Sequence, residues 1–264
     1  MDKYFRGHVK KVTCFFAVLF ILNSNAQEIG FSAEQIYQDY SKFGLIVGMS
    51  LLYTENEPNA VDYTYITQKA FNLGIEYNIL QTHRFSFRTA FIYRTYDIKN
   101  TKYIKGQDFG EDFDVFFTSG VGPFKQFKVP LDAQYYFPIN KTLSSYVSVG
   151  PEFIIYPEDP TSGGLSIGNF DPFVGYTEEG NSKDGWLYVG ANLSLGLAIK
   201  TNIALIKPFV TYHYQPETLY TNVVTTQNLM VSENTVSKHK IKGDYLLFGI
   251  ILNPAKSLYK KSKG

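Results

Sequence analysis

The chain has 264 residues, enough for one sizeable core or one barrel of ordinary size. Aromatic residues make up 17% of it, with 21 Tyr and 22 Phe beside a single Trp, which favours strands over long helices and excludes a disordered chain. The formal charge of +1 provides no electrostatic attraction for nucleic acid, so nucleic-acid binding is not expected.

The first 26 residues have the features of a secretory signal peptide. Their basic residues are Lys3, Arg6, Lys10 and Lys11. An apolar run follows over residues 12–22, and a short polar stretch ends at Ala26. This order is typical of a signal peptide, whereas a membrane anchor helix needs roughly 20 apolar residues. We therefore expect export, cleavage near Ala26 and a mature chain without cysteine, because Cys14 lies in the removed segment.

Two segments alternate apolar and polar residues with a period of two. In 71–79 the odd positions are apolar, while the even positions include Asn72 and Glu76. The segment 187–200 repeats this pattern over a greater length. Because successive side chains of a strand point to opposite faces, such runs indicate half-exposed strands.

Eight segments of the chain are predicted to be strands. They lie near residues 43–54, 65–80, 83–97, 124–138, 142–156, 185–200, 203–216 and 243–253. Each is long enough for the roughly 9–11 residues of a tilted membrane strand, while globular strands average about 5–6 residues. A strand-rich chain that crosses a bilayer must close its sheet. The sequence therefore predicts an all-β fold, an eight-stranded antiparallel up-and-down transmembrane β-barrel.

The predicted connections alternate in length. Short links lie near 81–83, 140–141 and 201–202, and long ones near 55–64, 98–123, 157–184 and 217–242. Outer-membrane barrels have short periplasmic turns and long external loops. We therefore expect a short periplasmic segment over 27–40, an outer-membrane barrel over 41–254 and a basic periplasmic tail over 255–264.

The alternation alone does not say which face of the barrel is apolar. A soluble lipocalin-like barrel has the same period with its apolar side turned inward. Glycines on the polar side, such as Gly74, Gly190 and Gly196, suit the interior of a narrow barrel. Charged residues on that side cannot face lipid, where Arg or Lys at the midplane costs roughly 2–4 kcal/mol. An apolar outer face is therefore favoured.

Six charged residues on the polar side are predicted to form an ion-pair network in the lumen. They are Glu76, Arg88, Arg94, Lys128, Asp132 and Glu152. A turn centred near Thr82 places Glu76 opposite Arg88, and the next short turn places Lys128 opposite Glu152. Directly opposed residues of neighbouring strands interact most strongly. On a soluble barrel the same residues would form a solvated face with incidental pairs.

Aromatic residues recur near the ends of the predicted strands. They include Tyr53, Tyr93, Tyr135, Phe137, Phe153, Tyr212 and Tyr214. Such residues fit the interfacial girdles of a membrane barrel, although the β-propensity of aromatic residues explains them too.

The segment from Phe127 to Phe153 combines several features of one hairpin. They are Pro130 early in a strand, the aromatic run 135–137, the turn Asn140-Lys141 and Gly150-Pro151 in the next strand. This segment resembles the central hairpin of the small PorT-like outer-membrane β-barrel family of Gram-negative bacteria. The resemblance implies an outer-membrane location and this barrel architecture, without implying secretion. The C-terminus departs from the usual barrel pattern, because a basic tail follows the last strand where many barrels end on an aromatic residue.

Catalytic or metal chemistry is not indicated. The chain has no HExxH helix, Walker lysine or Rossmann glycine pattern. His213 can act as a base only with a nucleophile within hydrogen-bond reach. The acidic positions Asp108, Glu111, Asp112 and Asp114 do not have EF-hand spacing and are interpreted as a solvated loop. We therefore expect no enzyme activity, no cofactor and no metal.

The function expected from the sequence is a structural or interaction role in the outer membrane. The barrel would be monomeric, surrounded by outer-membrane lipid, and would meet a protein partner through its external loops or its periplasmic side. An accessory role in secretion or surface assembly is one form of this hypothesis. Because eight strands leave room only for side chains, a diffusion pore is not expected. Two alternatives stay open: transport of a small or hydrophobic ligand through the barrel, and a soluble lipocalin-like ligand-binding barrel.

Overall fold

The computed structural model describes most of the chain after residue 37. The described ranges are 38–52, 62–65, 69–82, 84–104, 115–157, 164–166, 174–182, 186–216, 218–228 and 233–260. Within these ranges no α-helix has the length and hydropathy that crossing a membrane requires.

Strands dominate the described residues. In chain order they are β1 (Phe43–Leu52), β2 (Asp62–Tyr65), β3 (Lys69–Gln81), β4 (Phe85–Ile104), β5 (Val115–Pro138), β6 (Leu143–Ile155), β7 (Gly164–Ser166), β8 (Val174–Ser182), β9 (Leu187–Lys200), β10 (Ala204–Tyr214), β11 (Thr218–Asn228), β12 (Glu233–Lys242) and β13 (Tyr245–Pro254). A short helix, α1 (Ser257–Lys260), follows the last strand.

Eight of these strands close into a barrel. The order around the ring is β1-β3-β4-β5-β6-β9-β10-β13, and every neighbouring pair is antiparallel. The ring closes between β1 and β13, whose register runs from Leu45↔Leu252 to Leu52↔Tyr245. The predicted eight-stranded antiparallel barrel is confirmed.

The short and long connections lie at opposite ends of the barrel, as predicted. The short ones, at 82–84, 139–142 and 201–203, share one end with the first and last barrel residues, and we name it the short-turn end. There the Ser41 amide donates to the Pro254 carbonyl at 2.8 Å, and Tyr40 forms a β-bridge with Ala255. The opposite end is named the long-connection end.

The long connections, whose internal structure the sequence left open, contain strands over much of their length. β4 and β5 remain paired beyond the barrel as far as Ile104↔Val115, and β2 pairs with the outer part of β4. Two other connections supply a four-stranded sheet in the order β12-β11-β8-β7. These segments are rich in Thr and Val, which favour strands, but they lack the strict alternation that identified the barrel strands. The acidic positions 108–114 lie outside the described residues.

The barrel wall is apolar outside, while its interior combines polar and charged side chains with buried apolar ones such as Ile46, Leu247 and Ile251. On β3, for example, the side chain of Ile75 is 58% exposed, while its neighbour Glu76 is fully buried in the lumen. The same alternation runs along β9. The predicted apolar outer face is therefore confirmed, and the arrangement of a soluble lipocalin-like barrel, with its apolar side enclosed, is not the one adopted.

Aromatic side chains gather on the outer wall near both ends. Near the short-turn end, ring centroids lie 4.8 Å apart in the pairs Phe43–Tyr77 and Phe85–Tyr135 and 4.7 Å apart in Tyr135–Phe137. Nearer the long-connection end are the Tyr93–Phe127 pair and the exposed side chains of Phe153, Tyr212 and Tyr214. Tyr53 lies outside the described residues. This placement fits the interfacial girdles of membrane barrels.

Candidate functional site: the barrel interior

All six charged residues proposed for the lumen lie buried on the inner wall. The structure divides them between two levels. Glu76, Arg88 and Asp132 lie nearer the short-turn end, where Lys207 and Asn253 join them, and we name this group the lower cluster. Arg94, Lys128 and Glu152 lie nearer the long-connection end with His213 and Tyr245, and these five form the upper cluster.

In the lower cluster, Arg88 links two carboxylates. Its Nη1 lies 3.2 Å from Oε2 of Glu76, and its Nη2 lies 2.8 Å from Oδ2 of Asp132. Its Nε donates to the same Asp132 oxygen at 2.9 Å. Asn192 Nδ2 donates to the other Asp132 oxygen at 2.8 Å. The guanidinium therefore joins strands β3, β4 and β5 through charge-assisted hydrogen bonds.

Lys207 and Asn253 complete the surroundings of Glu76, and the sequence did not predict either of them. Lys207 Nζ forms a buried ion pair with Glu76 Oε1, and Asn253 Nδ2 donates to the same oxygen at 3.0 Å. Arg88 and Lys207 thus balance the charges of Glu76 and Asp132. Compensation of this kind is what a desolvated carboxylate needs.

The cross-strand partners predicted from turn positions were wrong by two residues. Arg88 stands opposite Asn78, not Glu76, and Glu152 stands opposite Pro130, not Lys128. The β3–β4 register also contains a bulge after Asn78. A shift of two residues leaves every side chain on its original face. The shift therefore changes which residues stand directly opposite each other but not which face they occupy, and Arg88 still reaches Glu76 diagonally at 3.2 Å.

In the upper cluster, Glu152 pairs with His213 instead of Lys128. His213 Nδ1 and Glu152 Oε2 lie 2.7 Å apart. The His213 ring stacks on Tyr245, with centroids 4.2 Å apart and planes 15° apart. The nearby hydroxyls of Ser194 and Thr211 bond to each other at 2.7 Å. Among the described residues, these contacts do not include a serine or aspartate nucleophile hydrogen-bonded to His213.

Arg94 and Lys128 approach aromatic rings. The Arg94 guanidinium carbon lies 3.9 Å from the Tyr245 ring centre and 4.3 Å from that of Tyr96, and Lys128 Nζ lies 3.8 Å from the Tyr245 ring centre. Arg94 also donates to Ser50 Oγ at 3.0 Å and to Gln126 Oε1 at 3.2 Å. Cation–π attraction strengthens where the cation is desolvated. The upper cluster is thus held by aromatic faces as much as by its one carboxylate.

The interior is filled by side chains. Tyr136 and Tyr146 pack near the short-turn end, with ring centroids 5.6 Å apart, and Tyr156 and Tyr188 pack at 5.3 Å near the other end. Between them, lined in part by Asp132, the described residues enclose a cavity of about 20 Å³. That space holds about one water molecule. The described lumen therefore fits a packed, charge-balanced core better than a ligand chamber.

Metal-binding groups are not assembled in this interior. Among the described residues, no three His, Cys, Asp or Glu side chains converge to hold a metal ion. The acidic positions Asp108, Glu111, Asp112 and Asp114 fall outside those residues, so their interpretation as a solvated loop stays a prediction.

Neither a protein-family model nor a curated protein matches the chain. Solved structures that resemble it include the outer membrane protein OprG from Pseudomonas aeruginosa, with 13% identity, a TM-score of 0.42 and coverage of 81% of this chain and 97% of that one. Ail of Yersinia pestis, solved with the heparin analogue sucrose octasulfate, has 11% identity, a TM-score of 0.34 and coverage of 80% and 97%. The N-terminal β-barrel domain of Pseudomonas aeruginosa OprF has 16% identity, a TM-score of 0.33 and coverage of 81% and 98%.

Proposed function

We propose that this chain is an exported, monomeric outer-membrane barrel that conducts no solute and acts as a structural or interaction protein. Its signal peptide is cleaved near Ala26, the short-turn end with the segment 27–40 and the tail 255–264 faces the periplasm, and the long-connection end faces outward. An accessory role in secretion or surface assembly is one form of the same proposal.

The observation that carries the proposal is the polarity of the wall. The outward side chains of β9, from Leu187 to Leu197, are apolar, and the strand has 14 residues against the roughly 9–11 that a tilted membrane strand needs. In water such a band would be a very large exposed apolar surface. In a bilayer this apolar band contacts lipid acyl chains. The aromatic groups near the two ends of the barrel then lie at the two membrane interfaces.

The filled lumen supports a non-conducting and non-catalytic role. A permeating solute would have to displace Arg88 from two carboxylates in the lower cluster and separate aromatic pairs at both levels. A substrate would meet the same obstacles on its way to His213, which is buried. Transport through the barrel and catalysis inside it are therefore both disfavoured.

The strands beyond the barrel are the part best placed to meet a partner. The β4–β5 hairpin and the β12-β11-β8-β7 sheet both arise from connections of the long-connection end. In this sheet β12 pairs with β11 among the described residues, so its other edge is a candidate for strand addition. A partner that adds a strand to β12 would bind through main-chain hydrogen bonds.

Cell fractionation with heat-modifiability tests the location. We expect a detergent-extracted outer-membrane band that migrates differently before and after boiling. A periplasmic band that dissolves without detergent would contradict the proposal. In planar bilayers the folded protein should give no single-channel steps, and reproducible steps would restore the transport alternative.

Removal of the β11–β12 hairpin tests the interaction role. A variant in which a short Gly-rich turn replaces residues 218–242 should fold and show heat-modifiability like the full chain, because the eight barrel strands remain. Cross-linking in intact cells should capture a partner with the full chain and lose it with this variant. Unchanged capture would move the partner surface to the β4–β5 hairpin or the periplasmic side.

A further inference from the structure

The outer wall carries an apolar groove near the short-turn end. It has a volume of about 660 Å³ and crosses five neighbouring strands, β5, β6, β9, β10 and β13. Its outward-facing lining includes Phe137, Val147, Leu195, Leu197, Val210 and Phe248. None of the described residues that line it is charged. The volume lies within the range of about 300–1,000 Å³ that is usual for small-molecule sites.

The groove exists because two outward positions carry small or compact side chains. Ser145 stands between Phe137 on β5 and Leu197 on β9, so its short side chain leaves a depression between two large ones. Pro208 is the second position. Proline has no amide hydrogen, and the β9–β10 pairing is interrupted there, between Ile206↔Ile199 and Phe209↔Gly196. The outer surface is therefore recessed at Ser145, and the β9–β10 hydrogen-bond ladder is interrupted at Pro208.

The floor of the groove is formed by the backbone of two glycines, and aromatic rings in the lumen lie directly beneath it. A Cβ added at Gly196 would lie 2.5 Å from Cζ of Tyr146, and one added at Gly249 would lie 2.7 Å from Cζ of Phe209. The aromatic rings therefore press against bare backbone from the lumen side. Because these rings seal the floor, the groove opens toward the membrane and not toward the lumen.

The hydroxyl of Ser145 is a polar group in the groove that lacks a hydrogen-bond partner among the described residues. The residue is only 7% exposed, and among the described residues its Oγ has no hydrogen-bond partner. A buried hydroxyl without a partner is unfavourable in apolar surroundings. Ser145 lies two residues into β6, or about 7 Å along the strand from its start. An acceptor near the membrane interface would satisfy it.

We propose that this groove binds one phospholipid of the leaflet at the short-turn end. One acyl chain lies along the groove from β5 to β13, and its ester carbonyl accepts a hydrogen bond from Ser145. Five strands span about 19 Å at a spacing of about 4.8 Å, enough for a chain that fills one leaflet of about 15 Å. The inference rests on the proposed membrane location, since the bilayer supplies the lipid.

Native mass spectrometry tests this inference. The protein would be folded into vesicles of phosphatidylethanolamine and phosphatidylglycerol and extracted into a mild detergent. We expect one retained phospholipid per wild-type barrel. Ser145→Phe fills the depression and should lower retention at least about tenfold, since a filled site cannot repack freely. Ser145→Ala removes only the hydrogen bond and should lower it about fivefold.

Val149→Phe is the matched control. Val149 lies on the same strand and the same outward face as Ser145, is 57% exposed and is not among the residues that line the groove. Its variant should retain lipid like the wild type. Equal retention by Ser145→Phe and Val149→Phe, or none by the wild type, would overturn the site. Unchanged retention by Ser145→Ala would overturn the ester contact.

Two further outcomes distinguish a bound lipid from a second copy of the chain and from a barrel that does not insert. A dimer that Ser145→Phe dissociates would overturn the lipid site in favour of an interface between copies of this chain. Failure of the wild type to fold into vesicles at all would contradict the proposed membrane function. A folded, monomeric barrel without a specific lipid would leave that function standing and remove only the groove's occupant.

Discussion

Lys207 on β10 and Glu76 on β3, 131 residues apart in the sequence, form an ion pair inside the barrel with both side chains fully buried. Two other strands, β1 and β13, lie between theirs in the ring. The pair thus links the inner faces of two strands that are not neighbours in the ring. Arg88 on β4 contacts the same Glu76 carboxylate through its other oxygen.

Replacement of Lys207 should strongly destabilise the barrel. Lys207→Met leaves a buried carboxylate with less charge compensation, and removal of one member of a buried pair costs about 3–5 kcal/mol. The double variant Lys207→Met with Glu76→Gln should recover part of that loss. Urea unfolding in detergent micelles, followed by heat-modifiability, measures both. Lys69→Met, at an exposed position of β3, is the control, and an equal effect at the two lysines would contradict the role of the pair.

An arginine on the outer face should prevent or weaken insertion. Leu193 is exposed near the middle of β9, where Arg facing the membrane midplane costs roughly 2–4 kcal/mol. Ile203→Arg, in a short turn, should cost at most about 1 kcal/mol because it lies at an interface. The folded fraction in vesicles at increasing urea compares the two. If Leu193→Arg instead improves folding in water, the outer face does not contact lipid.

Paired cysteines should report the β5–β6 register. Val129 stands opposite Phe153, whereas the turn position assumed from the sequence would place it opposite Pro151. Opposed Cβ atoms lie about 4.5–5.5 Å apart, so a short thiol cross-linker should join Val129→Cys with Phe153→Cys efficiently. The pair Val129→Cys with Pro151→Cys should react poorly. Both variants would carry Cys14→Ser, and the reverse preference would refute the observed register.

Tyr40 should stabilise the short-turn end of the barrel in a pH-dependent way. Its hydroxyl donates to the Thr201 carbonyl at 2.6 Å. Burial raises the pKa of this phenol above its usual value, and the negative charge of Asp39 raises it further. The stabilisation is therefore complete below the usual tyrosine pKa of about 10 and is lost as the pH rises through the higher folded-state value.

Tyr40→Phe measures this contribution. At pH 8 the variant should be less stable than the wild type by about 1 kcal/mol, the usual net value of one hydrogen bond. The difference should shrink at strongly alkaline pH, where the wild-type phenol ionises. Urea midpoints recorded for both proteins across this range check it, and a constant difference would mean that Tyr40 acts through packing alone.

Strand periodicity made most of the barrel predictable. Over 71–79 of β3 and along most of β9, apolar residues alternate with polar or small ones, so the sequence identifies both the strand and its two faces. The strands beyond the barrel escaped prediction because their Thr- and Val-rich segments lack this alternation. Local propensity alone did not separate them from loops.

The lumen partners were harder to predict than the lumen residues. Register depends on where a turn begins and on the bulge after Asn78, and neither has a clear signature in the sequence. Lys207 was missed because β10 carries apolar residues on both faces, with Ile206 outward and Leu205 inward. Lys207 lies two residues after Leu205, and residues two apart in a strand share a face, so an inward Leu205 implies an inward Lys207.

The seam between β1 and β13 has a kinetic consequence for the nascent chain. The strand that must pair with β1 is the last barrel strand in the chain, so the closing contact has the greatest sequence separation in the ring. Contacts of this kind carry a large loop-closure cost and slow folding. Until β13 arrives, β1 and β10 each present an open edge that invites pairing with other chains. The unclosed chain therefore depends on protection from aggregation until its final strand is in place.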